Sequence, residues 1–149
     1  MFKLQIELIP KTCWDKNLRS VLKQSDWDKI RKAVYEKENM TCHTCDTKVK
    51  LLNAHEVWEF NEDTHTQKLI DIIGVCTVCH NSIHYGRSQM LGFGEDAIKQ
   101  FMYVNDCDII DFQNAALEAK LDYDRRSKIN DWTLDLSYIE SQGYSIKTV

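Results

Sequence analysis

The residues with the clearest chemistry in this sequence are four cysteines that form two C-x-x-C pairs. They are Cys42 with Cys45 and Cys76 with Cys79. A C-x-x-C turn presents two thiolates from one tight knuckle, and two knuckles together supply the tetrahedral shell that zinc prefers. The first ten residues lack the continuous apolar run of a signal peptide, so we expect reduced thiols, which favour a metal over disulfides. The spacing predicts a structural zinc site that closes a long loop.

Three histidines form a second group around this loop. His55 lies between the two cysteine pairs, His80 follows Cys79 directly, and His84 comes four residues after that. Side chains at this spacing project from the same face of a helix, so His80 and His84 can share one ion. One histidine would carry little weight, but three in a strand, helix, helix order predict a second metal site. His43, inside the first knuckle, is expected to face solvent.

The elements that must position these residues follow from hydrophobic periodicity. The runs VKLLNAHEVWEF and KLIDIIGVC are rich in β-formers and predict a hairpin whose long loop covers the polar stretch 61–67. The sequence HNSIHYGR begins as a helix that Gly86 interrupts. Ahead of the cysteines, Ser25 resembles a helix cap, and the apolar spacing after it predicts a helix over 26–37. Alternation over residues 2–9 predicts a strand that ends at Pro10.

The C-terminal part is predicted to be helical. Gly92 and Gly94 mark a hinge before a short helix over 95–104. A longer amphipathic helix is predicted over 108–128, because one apolar stripe repeats there at helical spacing. The stripe consists of Ile109, Phe112, Ala116, Ala119 and Tyr123. The tail WTLDLSYIESQGY mixes both periodicities and receives no assignment.

Composition limits the kind of protein this is. At 149 residues, with 43% apolar and 28% charged residues, the chain is predicted to fold as a single domain, 1–149. No apolar run is long enough for a membrane span, and we expect a cytoplasmic protein. The net charge of −4 excludes nucleic-acid binding driven by a general excess of cations, so such contacts must be local. Lys48, Lys50 and Arg87 are near enough in sequence to border the histidines. The sequence is silent on oligomeric state.

Residues 41–84 resemble the zinc-bearing HNH nucleases, which have the ββα-metal, or His-Me finger, core. In outline, that family shows C-x-x-C, a strand with Ala-His-His or Asp-His, an Asn, and then L-C-x-x-C-H with a second His four residues on. The stretches TCHTC, LNAHEVW, IDIIGVC and TVCHNSIH follow this outline. The resemblance implies an α+β fold with a zinc-closed HNH-like core over 41–87. We expect an N-terminal strand and a leading helix within 26–40 before this core, and a C-terminal helical part over 95–130 after it.

By this resemblance, His55, His80 and His84 ligate a catalytic divalent cation, such as Mg²⁺ or Mn²⁺, next to the structural Zn²⁺. The following position departs from the family, because Glu56 replaces the histidine that acts as general base. Asp71 replaces the asparagine that orients this base. A register shifted by one would make His55 the base, but it would leave alanine at a metal-binding position, and alanine cannot ligate.

The resemblance implies a metal-dependent endonuclease that hydrolyses phosphodiester bonds of nucleic acid, with DNA as the expected partner. Glu56 would accept the proton of the attacking water once its pKa is raised. A neighbouring Asp71 carboxylate would raise this pKa by like-charge repulsion, and the two carboxylates could alternatively serve as extra metal ligands. Two carboxylates also partly cancel the charge of the cation and repel a polyanion. Two alternatives therefore stay open. One is a catalytically silent HNH scaffold that binds nucleic acid, a nucleotide or a protein; the other is a structural zinc module whose histidines only pack or hydrogen-bond.

Overall fold

Seven helices and a three-stranded sheet make up the part of the chain that the computed structural model describes, residues 2–147. The strands are β1, Asn53–Asn61; β2, Thr66–Val75; and β3, Thr133–Asp135. The helices are α1, Leu18–Val21; α2, Gln24–Lys37; α3, Thr77–Ile83; α4, Tyr85–Met90; α5, Gly94–Asn105; α6, Ile109–Arg126; and α7, Ser137–Glu140. A 3-10 turn at Lys11–Cys13 precedes them. The α+β class predicted from the sequence is confirmed.

The centre of the fold is the antiparallel hairpin of β1 and β2. A bulge interrupts it between Val57 and Trp58, and β3 adds in parallel along the first residues of β2. The hairpin loop is shorter than predicted, because Asn61 pairs with Thr66 as strand instead of taking part in the turn. Since α3 follows β2 almost directly, the two strands and this helix form a ββα unit.

Apolar side chains pack on both faces of the sheet. One core, shared with α1, α2 and α7, includes Leu18, Trp27, Ile30, Leu69, Ile72 and Ile139. A second core surrounds the cysteines and includes Leu4, Leu52, Val75, Ile83, Phe101 and Phe112. Because successive strand residues point to opposite faces, Ile72 belongs to the first core while Ile73 packs against the second.

Helix α2 lies within two residues of its predicted bounds, because its apolar spacing suits the first core. Its start differs from the prediction, since Ser25 lies inside the helix and no side chain caps it. After the helix ends, Asn39 and Met40 have positive φ angles of 53° and 51°. This left-handed pair of residues turns the chain towards the first cysteine knuckle.

The predicted N-terminal strand is wrong. Residues 2–9 form no regular element and pair with no strand of the described chain. Their backbone bonds to helical segments instead: the N–H of Leu4 donates to the side-chain oxygen of Asn105 at 3.0 Å, and its carbonyl accepts from the same amide at 2.9 Å. The N–H of Glu7 donates to the carbonyl of Ile83 at 2.8 Å. The alternating pattern therefore reflects a segment with one buried side rather than a sheet strand.

The sequence predicted that the helix after Cys79 is interrupted at Gly86. The break between α3 and α4 lies at His84 instead. His84 has φ −92° and ψ 51°, which is outside the helical region, whereas Gly86 lies within α4. A Cβ at Gly86 would lie 3.1 Å from Leu8 Cδ2. Glycine therefore permits the close approach of the N-terminal segment to α4.

The two C-terminal helices lie close to their predicted positions, and Asp108 with Asp111 forms the capping box that begins α6. Of the predicted apolar stripe, Phe112 is buried, whereas Ile109 remains 43% exposed. The unassigned tail contains β3 and α7. No helix within residues 2–147 is both long enough and apolar enough to cross a membrane.

Replacing Ile72 with alanine tests the first core. Ile72 is only 2% exposed, and the cavity left by the change should lower the free energy of unfolding by about 2–5 kcal/mol. Urea denaturation followed by circular dichroism measures this. Ile70, on the same strand, is 42% exposed, so Ile70→Ala is the matched control and should change stability far less. Equal losses in the two variants would contradict the assigned core.

Candidate metal centres

Four cysteine sulfurs meet between the hairpin and α3. The Sγ atoms of Cys42, Cys45, Cys76 and Cys79 all lie within 4.8 Å of one another. Those of Cys45 and Cys76 are 3.8 Å apart. Thiolates at about 2.3 Å from a tetrahedral zinc ion lie about 3.8 Å from each other, so the observed spacing fits that ion. The four cysteines thus form a compact possible zinc site, as the spacing predicted.

The backbone builds each knuckle from local bonds. In the first, Cys42 N–H donates to Thr47 O and Asp46 N–H donates to Cys42 O, both at 2.9 Å. Asp46 adopts a positive φ of 61° to close this turn. The second knuckle begins where β2 ends, so Cys76 continues the strand and Cys79 lies in the first turns of α3. The first knuckle is therefore held by a turn and the second by the junction of β2 and α3.

The electrostatics of the cluster favour a cation. A hydrogen bond between Cys42 and Cys79 raises the pKa of Cys79 and lowers that of Cys42, because the Cys42 thiolate accepts a hydrogen bond from the Cys79 thiol. Burial raises the pKa of Cys76. Gln100 Nε2 donates to the sulfur of Cys79 at 3.2 Å, which suits a thiolate. Buried thiols in one cluster resist joint ionisation unless a cation neutralises them, so this donor set fits zinc.

The three predicted histidines also come together, beside the second knuckle. The ring centroids of His55 and His80 lie 5.6 Å apart, those of His55 and His84 5.1 Å, and those of His80 and His84 4.8 Å. Each ring offers a nitrogen within 4.8 Å of the other two. Burial lowers the pKa of both His80 and His84 to about 4. These two rings are thus neutral at pH 7, which is the form that ligates a metal. His43 lies apart, half-exposed beside Glu38, in agreement with the prediction.

The histidines open onto a cavity of about 320 Å³ that carries positive charge. Its charged lining consists of Lys16, Arg19, Arg87 and Glu56. Arg87 was predicted to border the site, whereas Lys48 and Lys50 do not line this cavity. Lys16 and Arg19 were missed, because they reach the site only through the fold of the segment that precedes α2, and no spacing in the sequence signals that contact.

Glu56 lines the same cavity, but its carboxylate is already engaged. Its Oε1 accepts the N–H of Leu18, the first residue of α1, at 2.8 Å. Burial raises the pKa of Glu56, partly offset by this bond. The sequence predicted that a neighbouring Asp71 raises the pKa of Glu56. The main cause is burial instead. Asp71 bonds elsewhere: it accepts the Tyr138 hydroxyl at 3.1 Å and lies 3.9 Å from Lys37 Nζ.

When the chain is compared with known protein families, with curated proteins and with solved structures, no match is found. The resemblance to HNH nucleases therefore has no support from a relative. It rests on the residues and on how the fold brings them together.

Removing one thiolate tests the cysteine cluster. Cys79→Ser should lose the bound zinc and, with it, most of the zinc-linked folding free energy, an apparent ~10 kcal/mol or more. Metal analysis of the purified protein and circular dichroism measure the two effects. Cys107, which lies outside the cluster, provides the control, and Cys107→Ser should retain both zinc and fold. A Cys79→Ser protein that folds cooperatively without zinc would contradict the structural role.

Proposed function

We propose that this chain is an HNH-like, metal-dependent endonuclease that hydrolyses phosphodiester bonds of nucleic acid, with DNA as the substrate. The observation that carries the proposal is the convergence of three imidazole side chains, those of His55, His80 and His84, at a cavity that also holds cationic groups. A cation site next to fixed positive charge suits a phosphate group. A purely structural zinc module needs only the four cysteines, so it does not explain why the three histidines also converge.

The cavity supplies what phosphate recognition requires despite the net negative charge of the chain. Lys16, Arg19 and Arg87 line it together with the histidines, so a phosphate there would meet guanidinium and ammonium donors. When bound at the histidines, a divalent cation such as Mg²⁺ or Mn²⁺ supplies further positive charge against the phosphate oxygens as the transition state forms. The local field, rather than the total charge, would then attract the substrate.

Glu56 is the group that we propose as general base. It lines the histidine cavity, and burial raises its pKa towards the range in which a carboxylate accepts a proton efficiently near neutral pH. The N–H of Leu18 and the side chain of Trp58 both bond to the carboxylate and hold it in place, and one of its oxygens would take the proton of the attacking water. We assign no step to Asp71, because its hydrogen bonds lead towards α7.

The same bond favours a second candidate function. Glu56 satisfies a backbone N–H at the start of α1, which is a structural role that needs no catalysis. If Glu56 serves only to accept this N–H, the chain lacks a general base. It would then be a catalytically silent HNH scaffold that binds nucleic acid, a nucleotide or a protein. The two candidates differ in one observable, the cleavage of nucleic acid by the wild-type chain.

A plasmid-nicking assay with Mg²⁺, Mn²⁺ or Ni²⁺ tests the proposed activity. We expect wild-type nicking that depends on the added cation and disappears in His84→Ala, because that variant loses one of three ligands. The cysteine-bound zinc should stay at wild-type stoichiometry. His43→Ala removes an exposed histidine outside the cluster and should leave nicking unchanged. Absence of wild-type nicking with all three cations would favour the silent scaffold.

Glu56→Gln separates the base from the structural bond. Glutamine keeps an oxygen that can accept the Leu18 N–H but cannot take a proton from water. Nicking should therefore fall by roughly 10²-fold to 10⁴-fold with metal affinity and melting temperature little changed. Glu59 is an exposed glutamate on the same strand, and Glu59→Gln should behave as wild type. Full activity in Glu56→Gln would remove Glu56 from the mechanism.

A further inference from the structure

The N-terminal segment brings an acidic residue to the histidine cluster, and neither the cysteine and histidine spacing nor the HNH resemblance assigns it a role. Glu7 lies in the irregular stretch 2–9, which was predicted to be a strand. Its backbone N–H donates to the carbonyl of Ile83, the residue before His84. Upstream, Leu4 is fully buried and bonded at both backbone groups to Asn105. Glu7 is therefore held in place by the packing of its own segment on α3 and α5.

The side chain of Glu7 makes one short polar contact, and it is with the most buried histidine. Its Oε2 lies 3.0 Å from Nε2 of His55, whose side chain is only 6% exposed. The other oxygen, Oε1, is buried and has no hydrogen-bond partner among the described residues. A carboxylate in such a place is costly unless positive charge lies close to it. The contact with His55 compensates only one of the two carboxylate oxygens for the loss of water.

Glu7 stands behind the histidine cluster rather than inside it. The group of potential ligand atoms within 4.8 Å of one another contains the three histidines and not this carboxylate. Glu7 does not line the cavity that the three histidines share with Lys16 and Arg19. It lines two other cavities, one of about 620 Å³ together with His84 and one of about 470 Å³ together with His55. His55 thus lies between Glu7 and the proposed cation.

We propose that Glu7 is a positioning residue for the histidine metal site. Its carboxylate accepts the Nε2–H of His55, which fixes the tautomer and leaves the lone pair of Nδ1 for the cation. The negative charge behind the ring makes His55 a stronger ligand, and the cation in turn supplies the positive charge that buried Oε1 lacks. This inference rests on the histidine metal site proposed above, but it does not require that the bound chain cleaves nucleic acid.

Metal affinity provides the first test. Protein that already holds its cysteine-bound zinc is titrated with Mn²⁺ in a calorimeter, and the dissociation constant is compared between wild type and Glu7→Gln. We expect the variant to bind Mn²⁺ about 10-fold to 100-fold more weakly, the usual effect of removing a carboxylate behind a metal-bound histidine. Glu59→Gln, the same change at an exposed position on β1, should bind as wild type. Equal affinity in Glu7→Gln and wild type overturns the inference.

A second measurement needs no variant and reports the tautomer directly. Long-range ¹H–¹⁵N spectra of histidine-labelled wild-type protein with a second equivalent of Zn²⁺ should show His55 with a protonated Nε2 and a metal-bound Nδ1. A metal-bound Nε2 at His55, or a wild-type chain that takes up no second ion, overturns the inference. Metal uptake that depends on Glu7 without any nicking supports the inference and rejects the nuclease, so the two proposals fail separately.

Discussion

The meeting of four sulfurs at the end of the hairpin is the constraint on which the rest of the structure depends. The first knuckle follows α2, and the second joins β2 to α3, so one shared ion would add a further link between three elements that also pack through the two apolar cores. Helix α3 has seven residues, which is too short to be stable alone in water. Cys76 and Cys79 lie at its start, and the packing of Ile83 in the second core fixes its other end. The cysteine cluster and the histidine cluster therefore share one short helix, and a change in the position of that helix would disturb both.

Charged groups of both signs surround the three histidines. The chain carries a net charge of −4, yet the cavity in front of the rings is lined by Lys16, Arg19 and Arg87. Behind the rings stands a carboxylate, Glu7. The negative charge of Glu7 would partly neutralise a cation bound at the histidines. That cation and the three basic side chains of the cavity would together attract an anion. The total charge therefore says little about what this surface binds.

Spacing within the sequence was enough to find the residues of the two clusters but not their surroundings. The C-x-x-C pairs and the histidines four residues apart are close in sequence, so local geometry alone placed them correctly relative to one another. Helices α2, α5 and α6 were found for the same reason. Glu7, Lys16 and Arg19 escaped because they approach the histidines from segments whose route depends on tertiary packing. The strand predicted at 2–9 failed because alternation reports one buried side and cannot tell whether a sheet or a helix covers it.

Gly86 illustrates how far such packing reaches. It carries no side chain and contacts no ligand, but it lets Leu8 rest against α4, and Leu8 is the neighbour of Glu7. A larger residue at this position would press on the segment that presents the carboxylate to His55. Substitutions at position 86 would therefore weaken binding of the proposed cation, as substitutions of the histidines would, although glycine itself cannot bind a metal through a side chain.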